Sequence, residues 1–165
     1  MTKSTQIKLL LLAFTSSFLG LVQFVSAAPD VTNLVTKAEV EEALGAKVSS
    51  TVKELAAPLG GNQITYTSSG LPVKTFALTV RTDESLAPGM KASGYSVTKL
   101  YQQGKTTLGA GSEALTIKGG EGYSTMSRSE VLKKSTLLSA TTLFGTSKAA
   151  AALRNKLLLK AADRI

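Results

Sequence analysis

Two residue types that often carry catalysis, histidine and cysteine, are missing from this chain. None of its 165 residues is a histidine or a cysteine. Histidine is the usual general base, the commonest metal ligand and the side chain that titrates near neutral pH, and cysteine is a strong nucleophile. Their absence leaves serine with lysine, paired carboxylates and tyrosine as the groups that could do chemistry.

Serine and lysine come close in sequence around Lys133 and Lys134. Ser127, Ser129 and Ser135 lie near this pair, but none of the three is followed by a lysine three residues later, as an S-x-x-K nucleophile motif requires. Serine beside lysine on an exposed hairpin is common and needs no catalytic explanation. We therefore predict no catalytic serine in this region.

The carboxylates form no convergent site in the sequence. Asp83 and Glu84 are adjacent, so they need not approach one substrate atom from two sides. Glu39, Glu41 and Glu42 share one helix, whereas a cation site needs oxygens that converge from several directions. We predict no metal site, no catalytic residue and no enzymatic activity.

Two glycine patterns imitate nucleotide-binding loops. Gly104-Lys105-Thr106 matches the end of a P-loop, but Lys99 stands where the first glycine of that motif belongs. The segment 109–114 reads G-A-G-S-E-A, yet it precedes a predicted strand where a dinucleotide fold requires a helix. We predict a turn there, and no cofactor.

The first 27 residues have the features of a secretory signal peptide. Lys3 and Lys8 precede an apolar run that ends at Val25-Ser26-Ala27, with small residues at both positions that a signal peptidase reads. The run from residue 9 to residue 25 is short for a membrane span, which needs about 20 residues, although an uncleaved anchor is the alternative. We expect cleavage after Ala27, a single domain over 28–165 without a transmembrane segment, and a periplasmic or extracellular location.

The charge of the chain is uneven. The net charge is +8, and removal of Lys3 and Lys8 would lower it to +6. Residues 30–86 carry a net charge of −2 and residues 87–165 a net charge of +8. This asymmetry favours an anionic partner for the second half, such as an anionic envelope component or a protein rather than nucleic acid, although ordinary solubility charge explains it too. The candidate contacts are Lys133, Lys134, Lys148, Lys156 and Lys160.

Hydrophobic periodicity predicts an α+β fold. Thr36 to Glu39 is a capping box that opens a helix ending at Gly45, and Thr146 or Ser147 caps a helix that continues to Ile165. An antiparallel sheet of about five strands is expected, with the two helices packed on one face. The predicted strands are 63–68, 73–81, 113–118, 124–132 and 136–143, with a turn at residues 133–135; residues 46–59 are weakly patterned, and 96–103 fits a helix or a strand.

Several short segments together resemble the small exported bacterial protein and lipoprotein domains of unknown function. They are "EEALG", "FALTV", "GAGSEA", "EVLKKSTLLSATTL" and the closing alanine- and leucine-rich helix. The chain departs from many such proteins in having neither a lipobox cysteine nor a disulfide. The resemblance implies a sheet with helices packed against it and no active site. The function we expect is a non-enzymatic exported binding domain; the alternative is a carrier of a small apolar ligand or lipid held between sheet and helices.

Overall fold

A seven-stranded antiparallel sheet organises the chain, in the order β1-β2-β3-β7-β6-β5-β4. The computed structural model describes residues 29–144 and 147–165, so the predicted signal peptide, Met1 to Ala27, lies outside the described residues. The strands are β1 (Val48–Glu54), β2 (Asn62–Ser68), β3 (Thr75–Thr82), β4 (Glu113–Ile117), β5 (Gly120–Ser124), β6 (Arg128–Lys133) and β7 (Thr136–Thr142). The two halves of the chain meet where β3 pairs with β7.

Five α-helices surround the sheet in the described ranges. They are α1 (Val31–Leu34), α2 (Lys37–Leu44), α3 (Pro88–Ala92), α4 (Val97–Thr106) and α5 (Lys148–Asp163). Both caps predicted from the sequence are confirmed: Thr36 and Glu39 form the capping box of α2, and the Ser147 side chain accepts a hydrogen bond from Ala150 N. Thr146, the other predicted cap, lies outside the described residues. None of the described helices combines the length and apolar character that crossing a membrane requires.

The helices divide the sheet into a closed face and a partly open face. Because side chains alternate along a strand, Phe76, Leu78 and Val80 of β3 point to one face, where they pack with α1, α2 and α5 in the main core. Among the described helices, α4 packs on the opposite face, where its Val97 and Tyr101 contact Tyr123 and Leu137. Over β1, β2 and β3 this second face is open and carries mainly serine and threonine side chains.

The predicted count of about five strands is wrong, because the described residues form a sheet of seven. The weakly patterned segment contains β1, an edge strand in which six of seven residues are exposed, so no apolar alternation marks it. The predicted strand 124–132 is the end of β5 plus most of β6, joined by a turn. β5 escaped prediction because Gly120 and Gly122 stand where apolar residues would reveal a strand; a Cβ on Gly122 would lie 2.8 Å from Ile117 Cδ1 and 2.9 Å from Glu130 O.

Candidate functional site

A polar cleft lies where α4 crosses the partly open face of the sheet. It holds about 440 Å³ and opens to solvent between α4 and strands β3, β6 and β7. The lining residues are Leu59, Arg81, Leu100, Gln103, Gly104, Thr107, Arg128, Glu130 and Leu137. Three of the nine are charged: Arg81 lies on β3, and Arg128 and Glu130 lie on β6, which is distant from β3 in sequence.

Glu130 is the buried centre of this cleft. Its side chain is on the α4 face of β6, directly across from Tyr123 on β5 and Ser139 on β7. The Tyr123 hydroxyl donates a hydrogen bond to Glu130 Oε2, and Ser139 Oγ donates to Oε1 at 3.2 Å. Glu130 is only 9% exposed, and a buried carboxylate needs hydrogen-bond donors. Tyr123 and Ser139 supply one donor to each of its two oxygens.

Tyr123 is held as a proton donor. Burial raises its pKa well above the usual value, and the hydrogen bond to Glu130 raises it further. Deprotonation would place a phenolate beside a carboxylate, which desolvation and like-charge repulsion both disfavour. The Tyr123–Glu130 pair is thus a fixed hydrogen bond and a poor candidate for a base.

Gly104 lets α4 approach this pair. A Cβ at this position would lie 2.5 Å from the Tyr123 hydroxyl oxygen and 3.3 Å from Glu130 Oε2. Glycine inside a helix costs roughly 0.5–1 kcal/mol relative to alanine, and here it permits close packing. The Gly104-Lys105-Thr106 pattern is the last turn of α4, so the helix continues through this glycine to Thr106.

Two arginines flank the carboxylate. Arg81 of β3 donates through Nε to Gly60 O at 3.2 Å, and burial lowers its pKa while the nearby Glu130 acts to raise it. Arg128 of β6 places Nε 3.9 Å from Glu130 Oε1 and donates through Nη2 to the Tyr123 hydroxyl at 3.4 Å. Two guanidinium groups against one carboxylate leave the cleft with a net positive charge, and guanidinium donors match carboxylate and phosphate oxygens.

Sequence comparisons with protein families and with curated proteins find no match. Among solved structures, the fold is similar to the crystal structure of a GTP binding regulator from Thermotoga maritima, with 14% sequence identity and a TM-score of 0.43. The alignment covers 72% of this chain and 78% of that chain. A likeness this distant carries no information about the function of this chain.

A second polar cluster lies on the closed face, around Arg154 of α5. This side chain is fully buried. Its guanidinium donates to Ser129 Oγ at 2.8 Å, to Met126 O at 3.2 Å and to Thr125 O, with longer contacts to hydroxyls of Ser124 and Thr142. These acceptors are all neutral, and they join α5 to the turn between β5 and β6. We assign this cluster to the architecture of the fold.

The five predicted lysines do not form one patch. Lys133 Nζ donates to Ala162 O and Lys134 Nζ donates to Ile165 O, each at 2.7 Å, at the carboxyl end of α5. Lys156 Nζ lies 3.7 Å from Glu42 Oε1, and Lys160 Nζ lies 3.4 Å from Glu39 Oε1. Lys148, at the start of α5, lines a separate cleft. A role of these lysines in contacting an anionic partner stays a prediction.

Two serine–lysine pairs elsewhere in the chain do have the S-x-x-K spacing, Ser96 with Lys99 and Ser50 with Lys53. Ser96 caps α4 by accepting a hydrogen bond from Lys99 N, and Lys99 Nζ donates to Gly94 O instead of approaching the hydroxyl. Ser50 and Lys53 are on β1, where a spacing of three places their side chains on opposite faces. In the described ranges, no group of three or more acidic side chains could hold a metal ion.

The cleft residues Arg81, Arg128 and Glu130 were not predicted as a site. The alternation of β6 indicates that Arg128 and Glu130 share a face, and this signal was available in the sequence. Arg81 reaches them only because β7, from the end of the chain, pairs between β3 and β6. That juxtaposition depends on topology, which local patterns do not determine.

Proposed function

We propose that the chain is an exported, non-enzymatic binding domain whose ligand presents a carboxylate or phosphate to the cleft between α4 and the sheet. The single observation that carries this proposal is the pair Arg81 and Arg128, which line one cleft around one carboxylate. Glu130 neutralises one of the two positive charges in the cleft, and an anionic ligand group would neutralise the other.

The position of Glu130 supports binding over catalysis. Its two oxygens accept hydrogen bonds from the Tyr123 hydroxyl and from Ser139 Oγ, so neither oxygen is left unengaged to act as a base. Arginine stays protonated at physiological pH and cannot serve as a general base. The described lining includes no nucleophile next to a base, which is the arrangement that covalent catalysis needs.

An NMR titration of the purified protein with inorganic phosphate and with citrate tests the proposal. We expect amide shift changes confined to the lining of the cleft, around Gly104, Arg128 and Glu130. Arg81→Gln and Arg128→Gln should each weaken binding about ten-fold or more, because a charge-assisted hydrogen bond contributes roughly 1.5–3 kcal/mol.

Lys118→Gln is the matched control. It removes the same charge from the exposed turn between β4 and β5, outside the cleft lining. Binding should be nearly unchanged in this variant. Equal losses in all three variants would mean that net charge, and not the cleft, attracts the anion.

The alternative, a carrier of a small apolar ligand or lipid, is favoured by a second cleft of about 470 Å³ next to the first turns of α5. Met126, Ala151 and Ala152 contribute apolar surface there, beside the polar side chains of Lys148 and Asn155. A lipid retained by the purified protein in native mass spectrometry would support this second function over the first.

A further inference from the structure

β1 ends the sheet with a free edge. It pairs only with β2, without a bulge over its seven residues. Leu55 N donates to Gly61 O, and Lys47 O accepts from Ser69 N, so the odd-numbered residues bond to β2. Because bonding residues alternate in an antiparallel ladder, the even-numbered residues 48, 50, 52 and 54 direct their N–H and C=O groups outward.

This edge lacks several of the devices that usually prevent strand pairing. Proline, a bulge and a very short strand are such devices, and β1 has none of these three, although it carries two charged residues, Lys53 and Glu54. Only its first outward N–H is occupied, because Glu41 Oε1 accepts from Val48 N at 3.1 Å. Within the described ranges, the outward groups of Ser50, Val52 and Glu54 have no partner.

We propose that this edge pairs with the same edge of a second copy of the chain, antiparallel and centred on Val52. In this register Val52 faces Val52 of the partner copy, and Ser50 faces Glu54. Three residue pairs would form six backbone hydrogen bonds and satisfy every free group. Val52 is 52% exposed on the strand edge, so the central contact would also bury apolar surface from both copies.

Neighbouring registers fail for specific reasons. Pairing centred on Ser50 or on Thr51 requires the Val48 N–H that Glu41 already holds. Pairing centred on Lys53 places two lysines opposite each other, and pairing centred on Glu54 does the same with two glutamates. Like charges directly opposite are destabilising. The register centred on Val52 is the one that avoids both conflicts.

A second copy is the occupant that this geometry favours. A two-fold axis at Val52 makes the edge self-complementary, and two-fold dimers are the commonest homo-oligomers. The pairing would extend the sheet from seven strands to fourteen across the dimer. Five residues on each side form a small interface, so the dimer should be weak and dependent on concentration. The two Lys53 side chains would be diagonal neighbours, so added salt should strengthen the dimer.

Sedimentation velocity over a range of protein concentrations tests for the dimer. We expect a monomer at low concentration and a dimer at high concentration. Val52→Lys should lower the association constant at least about ten-fold, because it places two lysines opposite each other at the centre. Thr116→Lys, on the exposed edge strand β4, adds the same charge at the other end of the sheet and should leave the dimer intact.

Cysteine substitution tests the register, since the chain has no cysteine of its own. Opposite residues of a hydrogen-bonded pair have Cα atoms about 5.5 Å apart, which a disulfide can bridge. Val52→Cys should therefore form a covalent dimer under mild oxidation, and Ser50→Cys should not. A monomer at all concentrations, equal cross-linking of both variants, or association only with a different protein would overturn the proposal. None of these results bears on anion binding in the cleft.

Discussion

Arg154 is a buried charge whose contacts in the described structure include no carboxylate. Its guanidinium is stabilised by hydroxyls and by the carbonyls of Thr125 and Met126. Burial lowers its pKa, and the hydrogen bonds compensate for the loss of hydration. Because the Thr125 and Met126 carbonyls belong to the β5–β6 turn, the side chain fixes the position of that turn on α5.

We expect Arg154→Met to lower the free energy of unfolding by about 2–4 kcal/mol, because it leaves several buried oxygens without a donor. Urea denaturation measures this change. Lys156→Met, an exposed position two residues further along α5, should change it by less than about 0.5 kcal/mol. Equal effects at both positions would show that Arg154 contributes only as an ordinary surface charge does.

Local sequence patterns give no sign of these buried polar groups, and for this reason they were not predicted. Helical periodicity predicts one apolar side of α5, formed by Ala150, Leu153, Leu157, Ala161 and Ile165. The structure buries Ala150, Leu157 and Ala161, and it packs Leu153 and Ile165 partly buried against the main core. Arg154 lies on the same side, but an arginine in a helix is normally exposed. Its acceptors are 12 to 30 residues away in sequence, so nothing near it indicates burial. Glu130 was missed for the same reason, because its donors are on neighbouring strands.

At the level of elements, α2 and α5 are joined through Glu39. Its carboxylate accepts from Arg164 Nη2 at 2.7 Å and from Arg164 Nη1 at 2.9 Å, and also from Thr36 N at 2.9 Å. Lys160 Nζ lies 3.4 Å away. One side chain thus caps α2 and binds the end of α5.

These contacts should make stability depend on pH in acid. The hydrogen bond from Arg164 lowers the pKa of Glu39 from 4.5 to about 2. A carboxyl whose pKa is lower in the folded state binds protons preferentially in the unfolded state. Its contribution to stability is therefore present above about pH 4.5 and is lost as the pH falls towards about 2.

Glu39→Gln should lower stability at neutral pH and flatten the dependence of the unfolding free energy on pH between 4.5 and 2. Urea denaturation at a series of pH values measures both effects. Glu113→Gln, at the exposed start of β4, is the control and should keep the wild-type slope. A slope unchanged in Glu39→Gln would place the acid sensitivity on other carboxylates, such as Glu41, whose pKa is also lowered.

The elements that the sequence predicts best are those with one buried face. The β3 alternation and the α2 capping box are confirmed because burial and capping each leave a local pattern. β1 has polar residues on both faces, and β5 has glycines on the face that α5 covers. Neither strand therefore shows an apolar alternation in the sequence. The structure resolves the ambiguous segment 96–103 as α4, where Val97 and Tyr101 are four residues apart and both buried.

At the scale of the whole molecule, the two oppositely charged parts of the sequence partly neutralise each other. The acidic residues Glu39 and Glu42 of α2 face Lys156, Lys160 and Arg164 of α5. Part of the positive charge of the second half is therefore paired with acidic residues of the first half, and this part is not free to attract an external anionic partner. The positive charge of the cleft, from Arg81 and Arg128, depends on the assembled sheet and not on either half alone.

The cleavage that we propose after Ala27 lies just before α1 in the sequence. Asp30 caps α1 through Thr32 N, and Val31 and Leu34 are buried in the main core. Cleavage after Ala27 would leave all of these contacts in place.

Expression of the full chain in a bacterium with a secretory pathway tests this proposal. We expect the exported protein to have the intact mass of residues 28–165. Ala27→Asp should block cleavage, because the residue before the cut must be small. Ser26→Asp introduces the same side chain between the two positions that the peptidase reads, so processing should continue. An intact Met1 in the exported fraction of the unsubstituted chain would contradict cleavage and favour a retained anchor.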